Sequence, residues 1–278
     1  MPSRGRSRMW GKTRGRRPAL LADKTGPESG LRPAKPFAKP VGAAWPWRQD
    51  MEILFVVLVV AVIAAVAIFG HLAAMRRRKE LAAFAQGKGL WFSEARTYDL
   101  DNQFPAFPCL RKGSNRYAYN MMGGTWGGRQ VKCFDYHYET HSTDSKGRRQ
   151  THHHYFSGTI VASPIPLEPL FIRPEGFFDK ITEFFGADDI DFESAEFSRK
   201  FYVKAPDKKW AYDVIHTRTM EFLLGQPKFH IHFDRTSVLV YRERTFTVND
   251  FEPAIETAAG ILERLPEYLV RQQQEKQA

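Results

Sequence analysis

The residues best suited to chemistry in this chain are five histidines in the stretch 137–154: His137, His141, His152, His153 and His154. Neutral imidazoles are the commonest ligands for zinc and copper, and a site needs three or four of them, or carboxylates and thiolates, at one point. The stretch reads as two strands of a hairpin. On a strand, alternate side chains share a face, so His137 and His141 lie together, as do His152 and His154. If His141 stands opposite His152, these four rings fall on one face with Cys133, Asp135 and Glu139 and make a zinc or copper site. A slip of one residue in the pairing separates the two sets. The segment His137-Tyr138-Glu139-Thr140-His141 is not the zinc-protease motif, because its glutamate is misplaced and it reads as strand rather than helix. The ordinary alternative is a wet hairpin end beside Lys146, Arg148 and Arg149. On that reading the five rings are mostly solvent-facing and no metal or other cofactor is required.

The remaining motifs point to no reaction. Gly123-Gly124-Thr125-Trp126-Gly127-Gly128 lies between strands and matches neither phosphate-binding pattern, so it reads as a hairpin tip with Trp126 exposed as a contact residue. Gly11-Lys12-Thr13 lacks a preceding strand, and Gly5 lies one residue too far upstream for a phosphate-binding loop. The acidic run Asp188, Asp189, Asp191, Glu193, Glu196 fails as a calcium loop, since Ser194 and Lys200 stand where Gly and Glu are needed. Cys109 and Cys133 form neither a disulfide framework nor a CxxC pair and read as buried, reduced thiols. There is no nucleophile elbow.

The elements that must position these residues are mostly strands. Phe107–Lys112, Arg116–Met122, Gln130–His141 and Thr151–Ala162 are rich in aromatic and β-branched residues and are separated by turn formers at Gly113-Ser114-Asn115, 123–128 and 142–150. Such short turns imply antiparallel pairing. Further on, the pattern predicts a strand at Leu170–Arg173, a helix at Gly176–Phe185 and a strand at Phe197–Ala205. One or two helices follow over Asp207–Leu224, capped by Asp207 and stopped by Gly225. A hairpin comes from Lys228–Asp234 and Ser237–Arg242. A last helix starts near Asn249–Glu252 and carries the stripe Ala254, Ile255, Ala258, Ile261, Leu262, Leu265. The fold class is therefore α+β, a largely antiparallel sheet with packed helices that include a C-terminal one.

Ahead of the sheet, Ile53 to Phe69 is uninterrupted apolar sequence. With Gly70 to Ala74 it reaches the length of a helix that crosses about 30 Å of hydrocarbon. Arg76, Arg77, Arg78 and Lys79 follow directly, a basic flank of the kind retained in the cytoplasm. The expectation is a single-pass protein of the cell inner membrane with its C-terminal domain cytoplasmic. In that layout 51–75 is the transmembrane helix, 76–89 a basic juxtamembrane helix, 90–270 the α+β domain and 271–278 a polar tail. Residues 1–50 hold twelve Lys and Arg against three acids, and the remainder of the chain holds 29 against 28. The net charge of +10 thus belongs to the first fifty residues, and the nearly neutral body is not expected to bind nucleic acid. The Arg/Gly/Pro-rich stretch 1–50 reads as disordered. It fits a tail that binds RNA or anionic lipid, an inert cytosolic extension, or an over-extended start; the last is favoured, because beginning at Met51 leaves Glu52 alone outside the span and makes the charge asymmetry clear.

The landmarks Phe134-Asp135-Tyr136, Pro164–Pro169, Phe171-Ile172-Arg173-Pro174-Glu175-Gly176, Asp189-Ile190-Asp191-Phe192-Glu193-Ser194 and Glu196-Phe197-Ser198-Arg199-Lys200-Phe201 occur in order. In them the chain resembles a group of bacterial single-pass inner-membrane proteins of unknown function, over about residues 51–270. The resemblance implies an N-terminal anchor and a cytoplasmic α+β domain, and no activity. The functional expectation is a membrane-anchored, non-catalytic domain whose partners are the bilayer and a protein not identified by the sequence. The alternative is a metal-dependent enzyme or sensor using His137, His141, His152 and His154.

Overall fold

The computed structural model of the chain describes residues 47–176 and 190–276. The stretch 1–46, the helix expected over Gly176–Phe185 and the acids Asp188 and Asp189 lie, wholly or nearly so, outside the described residues. The chain divides into two compact units, Met1–Leu58 and Val59–Ala278. Of the first unit the structure describes only the opening turns of helix α1 (Trp47–Gly87), exposed from Asp50 to Leu58. The second unit contains the rest of α1 and all the other elements.

The fold class expected from the sequence is the one observed. Among the described residues, eight strands form one sheet in the order β1-β2-β3-β4-β8-β7-β5-β6, and every adjacent pair is antiparallel. The strands are β1 (Trp91–Ser93), β2 (Ser114–Trp126), β3 (Arg129–Thr143), β4 (Arg149–Ala162), β5 (Leu170–Pro174), β6 (Phe201–Lys204), β7 (His230–Phe233) and β8 (Ser237–Arg242). The helices after α1 are α2 (Leu100–Gln103), α3 (Ala195–Lys200), α4 (Lys208–Val214), α5 (Thr217–Gly225), α6 (Val248–Glu263) and α7 (Glu267–Glu275).

Two hydrophobic clusters lie on the two faces of the sheet. On one, Leu81 and Ala85 of α1 and the α6 stripe Ala254, Ile255, Ala258, Ile261 and Leu262 join Val131, Cys133, Val161, Val238 and Val240. On the other, Leu100, Phe107 and Leu110 cover Phe134, Tyr136, Phe156, Leu239 and Tyr241. The odd-numbered residues of β3 face the helices and the even-numbered ones face the second cluster, as period-two alternation requires. Each fully buried Phe, Leu or Ile contributes about 1.5–3 kcal/mol of transfer free energy.

Three elements differ from the sequence expectation. Phe107–Lys112 is not a strand: Pro108–Arg111 makes a 3-10 turn, with Pro108 at a position where its missing N–H costs nothing, and the Tyr136 hydroxyl donates to the Leu110 carbonyl at 2.6 Å. Phe197–Ala205 is not all strand. Ser194 caps helix α3 by accepting from the Phe197 N–H, and only Phe201–Lys204 is extended. The 123–128 segment holds the expected hairpin tip, but a tighter one than expected. Strand β2 runs through Trp126, which pairs with Arg129, and Gly127-Gly128 alone turn the chain with φ of 54° and 77°. Trp126 is half-buried against the core, with the Lys88 ammonium 4.9 Å above its ring. Several other expectations hold. Asp207 caps α4 through the Lys209 and Trp210 N–H groups, Asp207–Leu224 contains two helices, and both cysteines are free and buried. Helix α6 starts in a capping box made by Thr247 and Asp250.

Candidate functional site

The register of β3 on β4 decides what the histidines can do. His137 stands opposite Tyr155, Glu139 opposite His153 and His141 opposite Thr151, while Tyr138 faces His154 and Thr140 faces His152. The pairing is therefore one residue away from the register that gathers four rings. His152 and His154 point to the opposite face from His137 and His141. There His152 Nε2 meets the Ser142 hydroxyl at 2.8 Å, and His154 Nε2 meets the Thr140 hydroxyl at 2.8 Å while its ring stacks on Tyr138. His141 is exposed and lies between Ser114 and Thr151. The register thus splits the four candidates into His137 with His141 on one face and His152 with His154 on the other, and it brings His153 and Glu139 beside His137.

His137 corrects the expectation of a wet ring. It is 2% exposed, stacked on Tyr117 with centroids 4.6 Å apart and against Tyr155 at 4.9 Å. Its Nδ1 lies 3.1 Å from the Asn115 carbonyl and its Nε2 lies 3.1 Å from His153 Nδ1. A carbonyl oxygen only accepts, so Nδ1 of His137 carries the proton and Nε2 presents a lone pair. Burial holds the His137 pKa below the ordinary imidazole value, so the neutral ring is the species present near neutral pH. His153 is half exposed and sits 3.4 Å from Glu139 Oε1. Glu139 accepts from Asn115 Nδ2 at 2.7 Å, and that bond, followed by the nearby imidazoles, lowers its pKa.

Asn115, which the sequence places in a turn and the structure places within β2, and Asn120, to which the sequence reading gave no role, build this face. Strand β2 carries irregularities between Ser114 and Tyr117 and between Tyr119 and Met122. They place Asn115 and Asn120 at φ of 48° and 50°, the left-handed region that asparagine tolerates better than most residues. Asn115 thereby reaches both His137 and Glu139. Asn120 donates to Asp135 Oδ2 at 2.9 Å. The signal available in the sequence was asparagine inside an otherwise strand-like run, a pattern that also fits an ordinary turn.

Asp135, one alternation before His137 on the same face, has no exposed surface. Its carboxylate accepts from Ser157 at 2.5 Å and from both Nε and Nη2 of Arg77 at 3.0 and 2.7 Å. Arg77 Nη1 also donates to the Phe246 carbonyl at 2.7 Å, and the Phe246 N–H reaches Ser157. Arg77 is thus tied into the buried framework around Asp135. Of the other basic residues there, Arg76 pairs with Glu80 and Arg78 with Glu94, and Lys79 is exposed.

Outward from His137, Arg96 lies over the Tyr117 ring at 4.4 Å, and Tyr98 and Tyr155 are exposed at 59% and 48%. The turn of the hairpin is five residues long, not nine, because β3 runs to Thr143 and β4 starts at Arg149. Asp144 orders it by accepting from the Lys146 and Arg148 N–H groups and from the Arg148 guanidinium.

No family model matches the chain, and no curated protein matches it significantly. Among solved structures it is similar to the crystal structure of the mycobacterial trehalose monomycolate transport factor A, TtfA. The identity is 16% and the TM-score 0.48, over 69% of this chain and 95% of that one. At that score the likeness carries no function across.

Proposed function

We infer that this protein is a membrane-tethered, non-catalytic domain whose β3–β4 hairpin works against the cytoplasmic surface of the bilayer. Helix α1 is long and apolar enough to cross a membrane, and the apolar window within it has none of its surface buried. The observation that carries the reading is the course of α1 along the sheet within the second unit. Lys88 sits on Trp126, which pairs with Arg129 at the start of β3, while Arg78 meets Glu94 and Arg77 meets Asp135 further along that strand. From Lys88 back to Arg77 the helix covers about 16 Å, and from Arg129 to Asp135 the strand covers about 20 Å. The two therefore run roughly antiparallel, and the hairpin continues in the direction from which α1 arrives.

The lengths then decide. Beyond the level of Arg77, strand β3 and its turn extend about 30 Å further, whereas only about 10 Å of helix separates Arg77 from Gly70, at the end of the apolar run. A hairpin that long reaches the headgroup layer and bends along it. Its exposed turn carries Lys146, Arg148 and Arg149 against Asp144, and Tyr98 and Tyr155 are amphipathic rings of the kind favoured at an interface. Basic residues at an anionic leaflet contribute about 1 kcal/mol each. On this reading the basic flank Arg76–Lys79 keeps the domain cytoplasmic, held to the leaflet by the anchor and by the hairpin.

The test uses the full chain in nanodiscs containing anionic lipid, with an environment-sensitive fluorophore on Ser145→Cys. Emission shifted to the blue and quenched by spin-labelled lipid supports the reading. Emission typical of water, with no quenching, overturns it.

A further inference from the structure

We propose that His137, His153 and Glu139 form a zinc site with three protein ligands, clamping β3 to β4 where the hairpin leaves the rest of the sheet. The three side chains bring ligand atoms within 4.8 Å of one another. His137 Nε2 and His153 Nδ1 are 3.1 Å apart, and His153 Nδ1 and Glu139 Oε1 are 3.4 Å apart. Tetrahedral zinc with bonds of about 2.0–2.1 Å separates neighbouring ligand atoms by about 3.3–3.4 Å. Both separations made by His153 thus lie within a few tenths of an ångström of that spacing, and side-chain adjustment of Glu139 completes the set.

The surroundings match what a ligand set requires. Metal-bound histidine donates its other N–H to a carbonyl or carboxylate that fixes the tautomer. His137 does this through Nδ1 to the Asn115 carbonyl, leaving the Nε2 lone pair directed at His153. The same Asn115 holds Glu139 with its side-chain amide, so one residue in a left-handed conformation orients two of the three ligands. His153 needs only to move its proton from Nδ1 to Nε2, which its exposure permits. The fourth position is left for water on the open side of the sheet. This set shares only His137 with the four histidines expected from the sequence.

The site also sits where a clamp has something to do. Strand β4 pairs with β8 only from Ser157 onward, so residues 149–156 pair with β3 alone, and Phe156 at the end of that stretch is its residue in the core. A ribbon with few strands is marginally stable by itself. An ion tying Glu139 and His153 across the ribbon to buried His137 lowers the opening rate of that segment.

The experiment is zinc titration of the full chain, purified in detergent without a polyhistidine tag and stripped with chelator. Bound metal is read by mass spectrometry after gel filtration, and hydrogen exchange of 149–156 is followed with and without zinc. The expected result is one zinc per chain and slowed exchange in that segment. His153→Ala, at an exposed position that leaves the core intact, loses both effects. Asn115→Gly, which keeps the backbone conformation and removes the amide, weakens binding about 10–100-fold. His152→Ala, on the opposite face, binds as the parent does. Absence of stoichiometric zinc at micromolar free metal, retention of zinc by His153→Ala, or its loss in His152→Ala overturns the proposal.

Discussion

Arg77 and Asp135, 58 positions apart, meet through two parallel hydrogen bonds of 3.0 and 2.7 Å in a setting where the carboxylate has no exposed surface. The pair ties α1 to β3, with Asn120 and Ser157 completing the acceptor sites of Asp135. The helix that carries the apolar run is thus continuous with a helix that belongs to the domain core, through Leu81 and Ala85.

Removing one partner of such a pair leaves a buried, uncompensated charge. Arg77→Ala is expected to cost about 3–5 kcal/mol in denaturant unfolding of the full chain followed by tryptophan fluorescence. Arg76→Ala, one residue earlier on an exposed ion pair, is expected to stay within about 0.5 kcal/mol of the parent. Equal effects of the two would show that the Asp135 network is not structural.

Gly113 closes the face from the other side. Its φ is +61°, and a Cβ at this position falls on the backbone carbonyl of Glu139. Gly113→Ala combines a strained backbone with a contact that no side-chain motion relieves, so a loss of about 1–3 kcal/mol is expected. Gly127→Ala tests the backbone term alone, since its φ is also positive but nothing lies within 4 Å. It should be the milder of the two.

The cysteines offer a chemical readout of the same core. Cys133 has no exposed surface, and burial pushes its thiol up to about 12. At pH 8 the thiolate fraction is negligible and access is blocked, so Cys133 should resist maleimide in the native state and react only as the protein unfolds. Prompt labelling of Cys133 in folded protein would contradict the packing described. The same protection lets Ser145→Cys be labelled selectively.

Acid sensitivity has an assignable source in His232, which is 2% exposed between Phe107 and Phe171. Burial lowers its pKa to about 3, while the unfolded chain has the ordinary value near 6.5. Between those values the unfolded state binds the extra proton, so stability is complete above about pH 6.5 and falls by up to about 1.4 kcal/mol per unit as the pH drops towards 3. His232→Gln keeps a polar side chain without a titrating one. Its unfolding free energy should therefore change less than the parent's between pH 7.5 and pH 5. An identical change in both proteins would remove His232 as the source.

How far the sequence led is visible in single residues. The alternation of Gln130–His141 marks a strand, and the stripe from Ala254 to Leu265 marks the buried side of α6, because both depend on local periodicity that burial enforces. The Phe197 segment misled, because its aromatics suit a strand equally well and the Ser194 cap is a local competitor that wins the first turn. The site was half legible. The histidines and Glu139 were in view, but which of them meet depends on the β3–β4 register, set at the five-residue turn around Asp144. A period-two pattern is blind to a slip of one residue when both faces of the strand carry polar side chains.

The charge of the hairpin turn gives the last prediction, which separates electrostatic attraction from simple proximity. Lys146, Arg148 and Arg149 are exposed, and Arg148 is already paired with Asp144. Lys146 and Arg149 are thus the residues available to anionic headgroups. In the double variant Lys146→Glu/Arg149→Glu, four units of charge are reversed at a surface where each basic residue contributes about 1 kcal/mol. The fluorophore at position 145 should then lose its quenching by spin-labelled lipid in anionic nanodiscs while the fold, read by circular dichroism, is unchanged. In the parent, raising the salt concentration should weaken the quenching in the same direction, because the Debye length shrinks to about 3 Å at 1 M. Quenching that is indifferent to both charge reversal and salt would mean that the hairpin is held near the bilayer by the anchor alone, with no attraction of its own.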